Sequence, residues 1–359
     1  VRAAVWHGAR DVRVLDVEVP APGPGEVTIA VAYCGICGSD LHEYADGPHA
    51  IPVGTPHPES GVAAPLILGH EFCGVVTAVG RAVPGLSPGD RVAVEPHYRC
   101  GMCPRCAAGE YNLCRHFGFA GLMGHGGLAE WATLPAYMLH KLPETVSLEQ
   151  AAVFEPAAVA LHALRRANIR QGETVTVLGL GPIGLLIVLL AARYGVARRI
   201  VAADVRPSRL RLARKLGATE IVDVREAGAE ALRVAAGATG EGADVTFEVV
   251  GKEETLRTCL AATRRGGRVI FVGLAETVTL DAFALVNNEQ SIITTVGYRD
   301  CYPELIRLVA EEGVDLAAVV TATIPLADVV ERGFEALLDG GGDEVKILVR
   351  PGSGRGAPR

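Results

Sequence analysis

Hydrophobic and polar positions follow two different rhythms along this chain. Up to about residue 150, short apolar stretches such as VRVLDVEVP and EVTIAVAYCG alternate with polar positions or run briefly among turns such as PAPGPGE and PGLSPGD. That pattern predicts a β-rich unit. From about Val153 the rhythm changes. The continuous apolar runs TVTVLGL, RRIVAADV, EIVDV, ADVTFEVVG and GRVIFVGL alternate with Ala-, Leu- and Arg-rich segments. Strands apolar on both faces fit a parallel sheet covered by helices, so an α/β unit is expected there. LRLARKLGA reads as a helix that stops at Gly217, CYPELIRLVAEEG as a later helix and EVKILVRP as a closing strand. The tail GSGRGAPR is expected to be disordered. No internal repeat interrupts this order.

Length and composition sharpen the picture. A chain of 359 residues exceeds one ordinary core and predicts two domains. The net charge of −7 argues against nucleic acid as a partner, because phosphates need a basic face. The stretch from Thr174 to Ala192 carries no charge and has membrane-spanning length. Its mid-segment Gly179, Gly181, Pro182 and Gly184, after a β-branched start, favour strand, turn and helix instead. No membrane partner is expected. The opening VRAAVWHGARDVRV lacks the apolar run of a secretory leader. The nine cysteines are odd in number, and four fall within fifteen residues. A reducing, cytoplasmic setting and thiolate–metal chemistry are therefore expected rather than disulfides.

Gly179-Leu180-Gly181-Pro182-Ile183-Gly184 forms a GxGxxG after one predicted strand and before a helix, and Asp204 follows twenty residues after Gly184. In that context it predicts a dinucleotide site. The first glycine makes the turn, the second lets backbone approach a pyrophosphate, and the third packs helix on strand. Asp204 would accept hydrogen bonds from ribose hydroxyls and favour NAD over NADP, although Arg206 and Arg209 lie close by.

Cys100, Cys103, Cys106 and Cys114 have the spacing of a four-thiolate metal loop. Zinc is preferred to iron–sulfur, since seven residues and not three precede the fourth cysteine, and arginine rather than proline follows it. Four protein ligands leave no open position, so this zinc would be structural. A second, dispersed set comprises Cys37 in YCGICGSDLH, His70 and Glu71 in LGHEF, and Glu155 in FEP. Taken singly, each has a plain structural reading.

Together these motifs resemble the zinc-containing medium-chain alcohol dehydrogenases over essentially the whole chain. CGICGSDLH, GHE, the cysteine loop and GLGPIG follow that family's order. CGICGSDLHEYADGP, HPESGVAAPLILGHEFCGVV, VEPHYRCGMCPRC, GEYNLC and EPAAVALHALRR are most similar to its polyol and 2,3-butanediol dehydrogenases. The resemblance implies a GroES-like β-rich catalytic domain over 1–155, completed by 298–359, and a Rossmann domain over 156–297. It implies a catalytic zinc held by Cys37, His70 and Glu155 with Glu71 beside the metal, the choice between the two carboxylates staying open. Ser39 and His42 match the family's proton relay, and Arg209 and Lys346 match basic residues that contact the cofactor. An imidazole titrates near neutrality and suits a proton shuttle. NAD, two zinc ions per chain and a homodimer or homotetramer are implied. The implied substrate is a small alcohol, vicinal diol or hydroxyketone, with 2,3-butanediol and acetoin ahead of sorbitol-type polyols or threonine.

Two other classes compete. A zinc-free quinone or enoyl reductase would not need both cysteine-containing sets. A non-enzymatic zinc module could use Arg99, Arg105 and Arg115 around the cysteine loop, but no recognition helix with paired histidines follows.

Overall fold

The protein is described by a computed structural model covering residues 1–237, 240–339 and 342–352. The stretch 353–359, within the tail expected to be disordered, lies outside the described residues. The chain divides into two compact units, Val1–Glu155 with Tyr302–Arg359, and Pro156–Cys301.

The first unit is β-rich. Its seven-stranded sheet runs Leu139–Lys141, Arg91–Val94, Glu71–Val79, Glu26–Gly35, Lys346–Arg350 and Val320–Pro325, with Trp131–Pro135 also paired to Glu26–Gly35. In Glu26–Gly35, Val27, Ile29 and Val31 point into the core with the period of two that a strand imposes. They pack in one cluster with Phe72, Leu128, Phe334 and Ile347. The C-terminal strand therefore lies inside the sheet, antiparallel to Glu26–Gly35 through Cys34 and Gly35 and parallel to Val320–Pro325.

The second unit is a six-stranded, all-parallel sheet. Its order is Glu220–Asp223, Arg199–Asp204, Thr174–Leu178, Ala243–Glu248, Thr263–Phe271 and Ser291–Thr294. Numbered in chain order within the unit, the strands run 3-2-1-4-5-6, the doubly wound arrangement of dinucleotide-binding sheets. The uncharged stretch from Thr174 resolves into strand Thr174–Leu178 and helix Pro182–Tyr194. Among the described residues no helix is long and apolar enough to cross a membrane. Strand Ser291–Thr294 closes one end of the sheet and, among the described residues, pairs on one side only.

The second compact unit ends at Cys301, and Tyr302 belongs to the first. The Arg165 guanidinium donates to the carbonyl oxygens of Arg299 at 3.2 Å and Asp300 at 3.0 Å, holding 299–301 to helix Phe154–Ala167. Tyr302 then donates its hydroxyl to the carbonyl of Val94 at 2.6 Å and stacks on His140.

Candidate active site

Strand Glu26–Gly35 runs into Ile36 and Cys37, and Cys37 caps the N-terminus of helix Gly38–Asp46. The Cys37 N–H donates to Asp40 Oδ2 at 2.9 Å, and the Cys37 side chain accepts from the Asp40 backbone, closing a capping box. Asp40 is fully buried, and its other carboxylate oxygen lies 3.5 Å from His70 Nδ1. His70 leaves the turn ahead of strand Glu71–Val79. That turn needs Gly69, which has φ +90° and where a Cβ would lie 2.6 Å from Cys34 Sγ.

One ligand atom each from Cys37, His70 and Glu71 lies within 4.8 Å of the others. Ser39 Oγ sits 3.2 Å from His70 Nε2. Glu155 is buried in the first turn of helix Phe154–Ala167 but is not part of this close cluster. His42, one helical turn beyond the half-buried Ser39, is exposed. Lys346, expected at the cofactor, points into the cluster. Its buried ammonium donates to both Glu71 oxygens, at 2.8 and 2.7 Å, and to the Ile36 carbonyl at 2.9 Å.

The electrostatics of this cluster favour positive charge. Burial pulls the His70 pKa down, but Asp40 and Cys37 outweigh it and hold the imidazole well above its usual range. Burial likewise lowers the Lys346 pKa, and Glu71, Cys37 and Glu155 more than reverse it. A thiol, an imidazole and a carboxylate converging within 4.8 Å of one another form a donor set that suits zinc. Asp40 Oδ1, 3.5 Å from His70 Nδ1 and making no hydrogen bond among the described residues, stands where a carboxylate supports a metal-binding ring.

Cys100, Cys103, Cys106 and Cys114 converge to the same tolerance, all four sulfurs within 4.8 Å. The loop wraps its own amides around them. The N–H of Cys103 donates to Cys100 Sγ at 3.4 Å, that of Cys106 to Cys103 Sγ at 3.5 Å, and that of His116 to Cys114 Sγ at 3.3 Å. The Cys106 amide is the chief reason the Cys103 thiol is pushed down to about 6, while burial leads in pushing Cys106 up to about 12. Four crowded thiols cannot all ionise beside one another without a cation between them, and a tetrahedral zinc satisfies that demand.

In the second unit, Gly179 has φ +97°, and a Cβ there would meet Val250 at 2.6 Å. A Cβ at Gly184 would lie 1.9 Å from the Gly179 carbonyl oxygen, so helix Pro182–Tyr194 packs directly on the turn. At Gly181 a Cβ would meet no protein atom within 4 Å, so packing does not require that glycine. Pro182 opens the helix with Ile183 behind it. Asp204 accepts from the Leu180 N–H at 2.7 Å and the Arg206 N–H at 2.8 Å. Each of its oxygens keeps a further acceptor site. Arg209 is half-buried beside Asp204, and its Nε has no hydrogen-bond partner among the described residues. Unpaired amides at a helix start, an acceptor carboxylate and an unsatisfied guanidinium donor fit a dinucleotide.

Two known domain descriptions match: an alcohol dehydrogenase GroES-like domain over residues 23–144 and a zinc-binding dehydrogenase over 182–311. The chain is 40% identical over 353 residues to an (R,R)-butanediol dehydrogenase of Bacillus subtilis, covering 98% of this chain and 100% of that protein. The chain belongs to the zinc-type medium-chain dehydrogenase family. A crystal structure of 2R,3R-butanediol dehydrogenase from Bacillus subtilis superposes with a TM-score of 0.89 at 39% identity, covering 98% of this chain and 99% of that one. A sorbitol dehydrogenase of the same organism is 35% identical over 355 residues, 98% of this chain and 97% of that protein. The dehydrogenase is thus an enzyme, a zinc- and NAD-dependent oxidoreductase acting on an alcohol.

Two supports of the site in this dehydrogenase escape a reading of sequence. Asp40 lies inside CGICGSDLH, where its spacing from Cys37 is that of a capping box. Glu95 is buried and accepts from Tyr111 Oη at 2.7 Å and His140 Nε2 at 2.8 Å. Burial raises its pKa, but these bonds and His97 bring it below the usual carboxylate range. Tyr111 lies in the cysteine loop, so Glu95 ties that loop to the sheet.

Proposed function

We propose that this dehydrogenase oxidises small vicinal diols and reduces the matching hydroxyketones, with 2,3-butanediol and acetoin preferred and sorbitol-type polyols second. The observation that carries this reading is the full-length likeness to a butanediol dehydrogenase, with CGICGSDLHEYADGP, GHE and FEP all in place. A carboxylate-rich metal set makes a more polar surrounding than a two-cysteine set would, which suits a substrate with a second hydroxyl. No arginine stands in the catalytic motifs to clamp a carboxylate, which disfavours threonine.

Cys37 and His70 would hold a catalytic zinc, completed by Glu71 or Glu155. Cys100, Cys103, Cys106 and Cys114 would hold a structural one. When bound, zinc supplies Lewis acidity at the substrate oxygen and NAD accepts the hydride. The protein's own share is positioning and proton transfer. Ser39, beside His70 and half-buried, would accept the hydroxyl proton at Oγ while giving up its own proton toward exposed His42, which passes one on to water. Asp40 keeps the His70 ring oriented. Asp204 accepts from the adenosine ribose and favours NAD, since a 2′-phosphate would face its charge. Gly179, Gly181 and Gly184 let the turn approach the pyrophosphate, and Arg209 supplies a donor beside it.

A homodimer or dimer of dimers is proposed through strand Ser291–Thr294, whose second edge is unpaired among the described residues, with exposed Phe283 and Val286 shortly before it in the chain. The deciding experiment is kcat/KM on butanediol stereoisomers beside sorbitol, threonine and a simple secondary alcohol, with NAD and NADP. Preference for sorbitol moves the enzyme to the polyol branch. Preference for threonine or a monoalcohol overturns the diol reading.

A further inference from the structure

Glu43 follows His42 on helix Gly38–Asp46, yet its side chain is buried at 2% exposure, and the reaction steps above give it no role. Its carboxylate collects three successive amides. The His49 N–H donates to Oε2 at 3.0 Å, and the N–H groups of Ala50 and Ile51 donate to Oε1, the latter at 3.3 Å. The chain passes so close here that a Cβ on Gly47 would lie 2.5 Å from Glu43 Oε2 and 2.6 Å from its carbonyl oxygen. That carbonyl accepts from Trp6 Nε1 at 2.8 Å, which pins the Glu43 backbone independently of its side chain.

The segment that begins at these amides is tied down again at its far end. Ser60 Oγ donates to the Met123 carbonyl at 2.5 Å, and His57 packs on Tyr98 and against Gly118. Phe119, next in the chain, meets His70 edge-on at 5.7 Å between ring centroids. The 47–65 segment is therefore strung between the helix that carries Ser39 and His42 and the turn that abuts His70. Its base is held by one buried carboxylate and, at the surface, by His49 Nε2 2.8 Å from Asp46 Oδ1. Charge-assisted bonds to backbone amides are strong, and amides left unpaired in a buried place cost more than they gain when paired.

We propose that Glu43 is a positioning residue for the alcohol: it fixes residues 49–51 to the relay helix and so sets the part of the substrate site that the 47–65 segment contributes. This rests on the alcohol-oxidation reading. Its loss should therefore weaken alcohol binding without touching the nucleotide, whose proposed contacts lie in the other unit.

The test is Glu43→Gln, which keeps the shape but turns an amide donor toward backbone donors. Wild type is assayed first on the alcohol panel, and the best alcohol found there is the probe. A wrong substrate assignment shows at that stage and leaves the Glu43 test intact. Expected in folded protein with wild-type zinc content is a rise of about tenfold or more in KM for that alcohol. kcat should stay within about threefold, and KM for NAD should be unchanged. Native-state hydrogen exchange should show the amides of residues 49–51 slow in wild type and fast in the variant. If Glu43→Gln does not fold, Gly47→Ala serves, because its Cβ pushes the same backbone off an intact carboxylate; the same KM rise is expected. An alcohol KM within about twofold of wild type overturns the proposal, as does an equal rise in both KM values or a fall in kcat alone.

Discussion

Lys346→Met removes an ammonium and keeps most of its stem. The Lys346 and Glu71 side chains are 1% and 0% exposed, and the ammonium touches both Glu71 oxygens. Water has no evident way to replace it, since even a Cβ on Gly35 would lie 2.1 Å from Glu71 Oε2. Removing one partner of a buried pair leaves the other charge uncompensated and costs about 3–5 kcal/mol. For a unit of this size each kcal/mol is worth about 2–4 °C, so the melting temperature of the β-rich unit should fall by roughly 6–20 °C at pH 7. Calorimetry with parallel urea titrations measures both quantities. Adding Glu71→Gln to the variant should recover much of the loss, because a neutral amide is cheaper to bury than a lone carboxylate. The pH dependence has a definite sign. The Lys346 pKa is raised above 10.5, so its contribution is fully present below that value and disappears as pH rises through the folded value. The gap between wild type and variant should therefore close only under strongly alkaline conditions. A melting temperature within about 2 °C of wild type at pH 7, too small for a cost of even 1 kcal/mol, would refute the uncompensated-charge argument.

The remaining expectations concern metal, proton transfer and acid stability. Cys103→Ser should release about one zinc per chain, measured by elemental analysis, and lower stability because structural metal binding contributes folding free energy; unchanged zinc content counts against the four-sulfur site. His42→Ala should cut turnover by about 10²-fold near neutrality and less at high pH, where solvent takes the proton. An unaltered pH–rate profile would sink the relay. His162 is held down to about 4 from 6.5, by burial first and then by Arg299, Arg166 and Arg165. The unfolded chain binds that proton more readily, so stability should decline as pH falls from 6.5 toward about 4. His162→Leu should flatten that acid arm, and an unchanged slope would assign it to other groups.

What sequence made legible follows from how each site is built. The cysteine loop and the glycine turn are contiguous, so spacing alone constrains their geometry, and Cys100 to Cys114 and Gly179 to Gly184 could be read directly. The alternation of apolar runs anticipated the parallel sheet for the same local reason. Cys37, His70 and Glu71 are dispersed, and only resemblance joined them on paper. Lys346 and Glu71 are separated by 275 positions, and no periodicity announces that a late strand slides between Glu26–Gly35 and Val320–Pro325. Hence nothing in the sequence announced that Lys346 would pair with Glu71 beside Cys37 and His70. The bonds from Arg165 to the carbonyls of Arg299 and Asp300 were equally hidden, because they join positions more than a hundred residues apart. Asp40 and Glu43 sit in a short polar helix where composition suggests solvated carboxylates. Their burial arises from what the rest of the chain lays over them.

The interior place of strand Lys346–Arg350 has a consequence for how the molecule is made. A ribosome releases the chain from its N-terminus, so all of Pro156–Cys301 emerges before that strand exists. The nucleotide unit is continuous in sequence and can close by itself during synthesis. The β-rich unit cannot. Until the last strand arrives, Cys34 and Gly35 lack a neighbour on that side, Glu71 has no ammonium, and the Ile36 carbonyl beside Cys37 has no donor. The two cysteine-bearing clusters are then completed at different times. The Cys100–Cys114 loop holds all four of its sulfurs locally and can take metal on the nascent chain. The Cys37, His70 and Glu71 site reaches its final geometry only after Lys346 has entered the sheet.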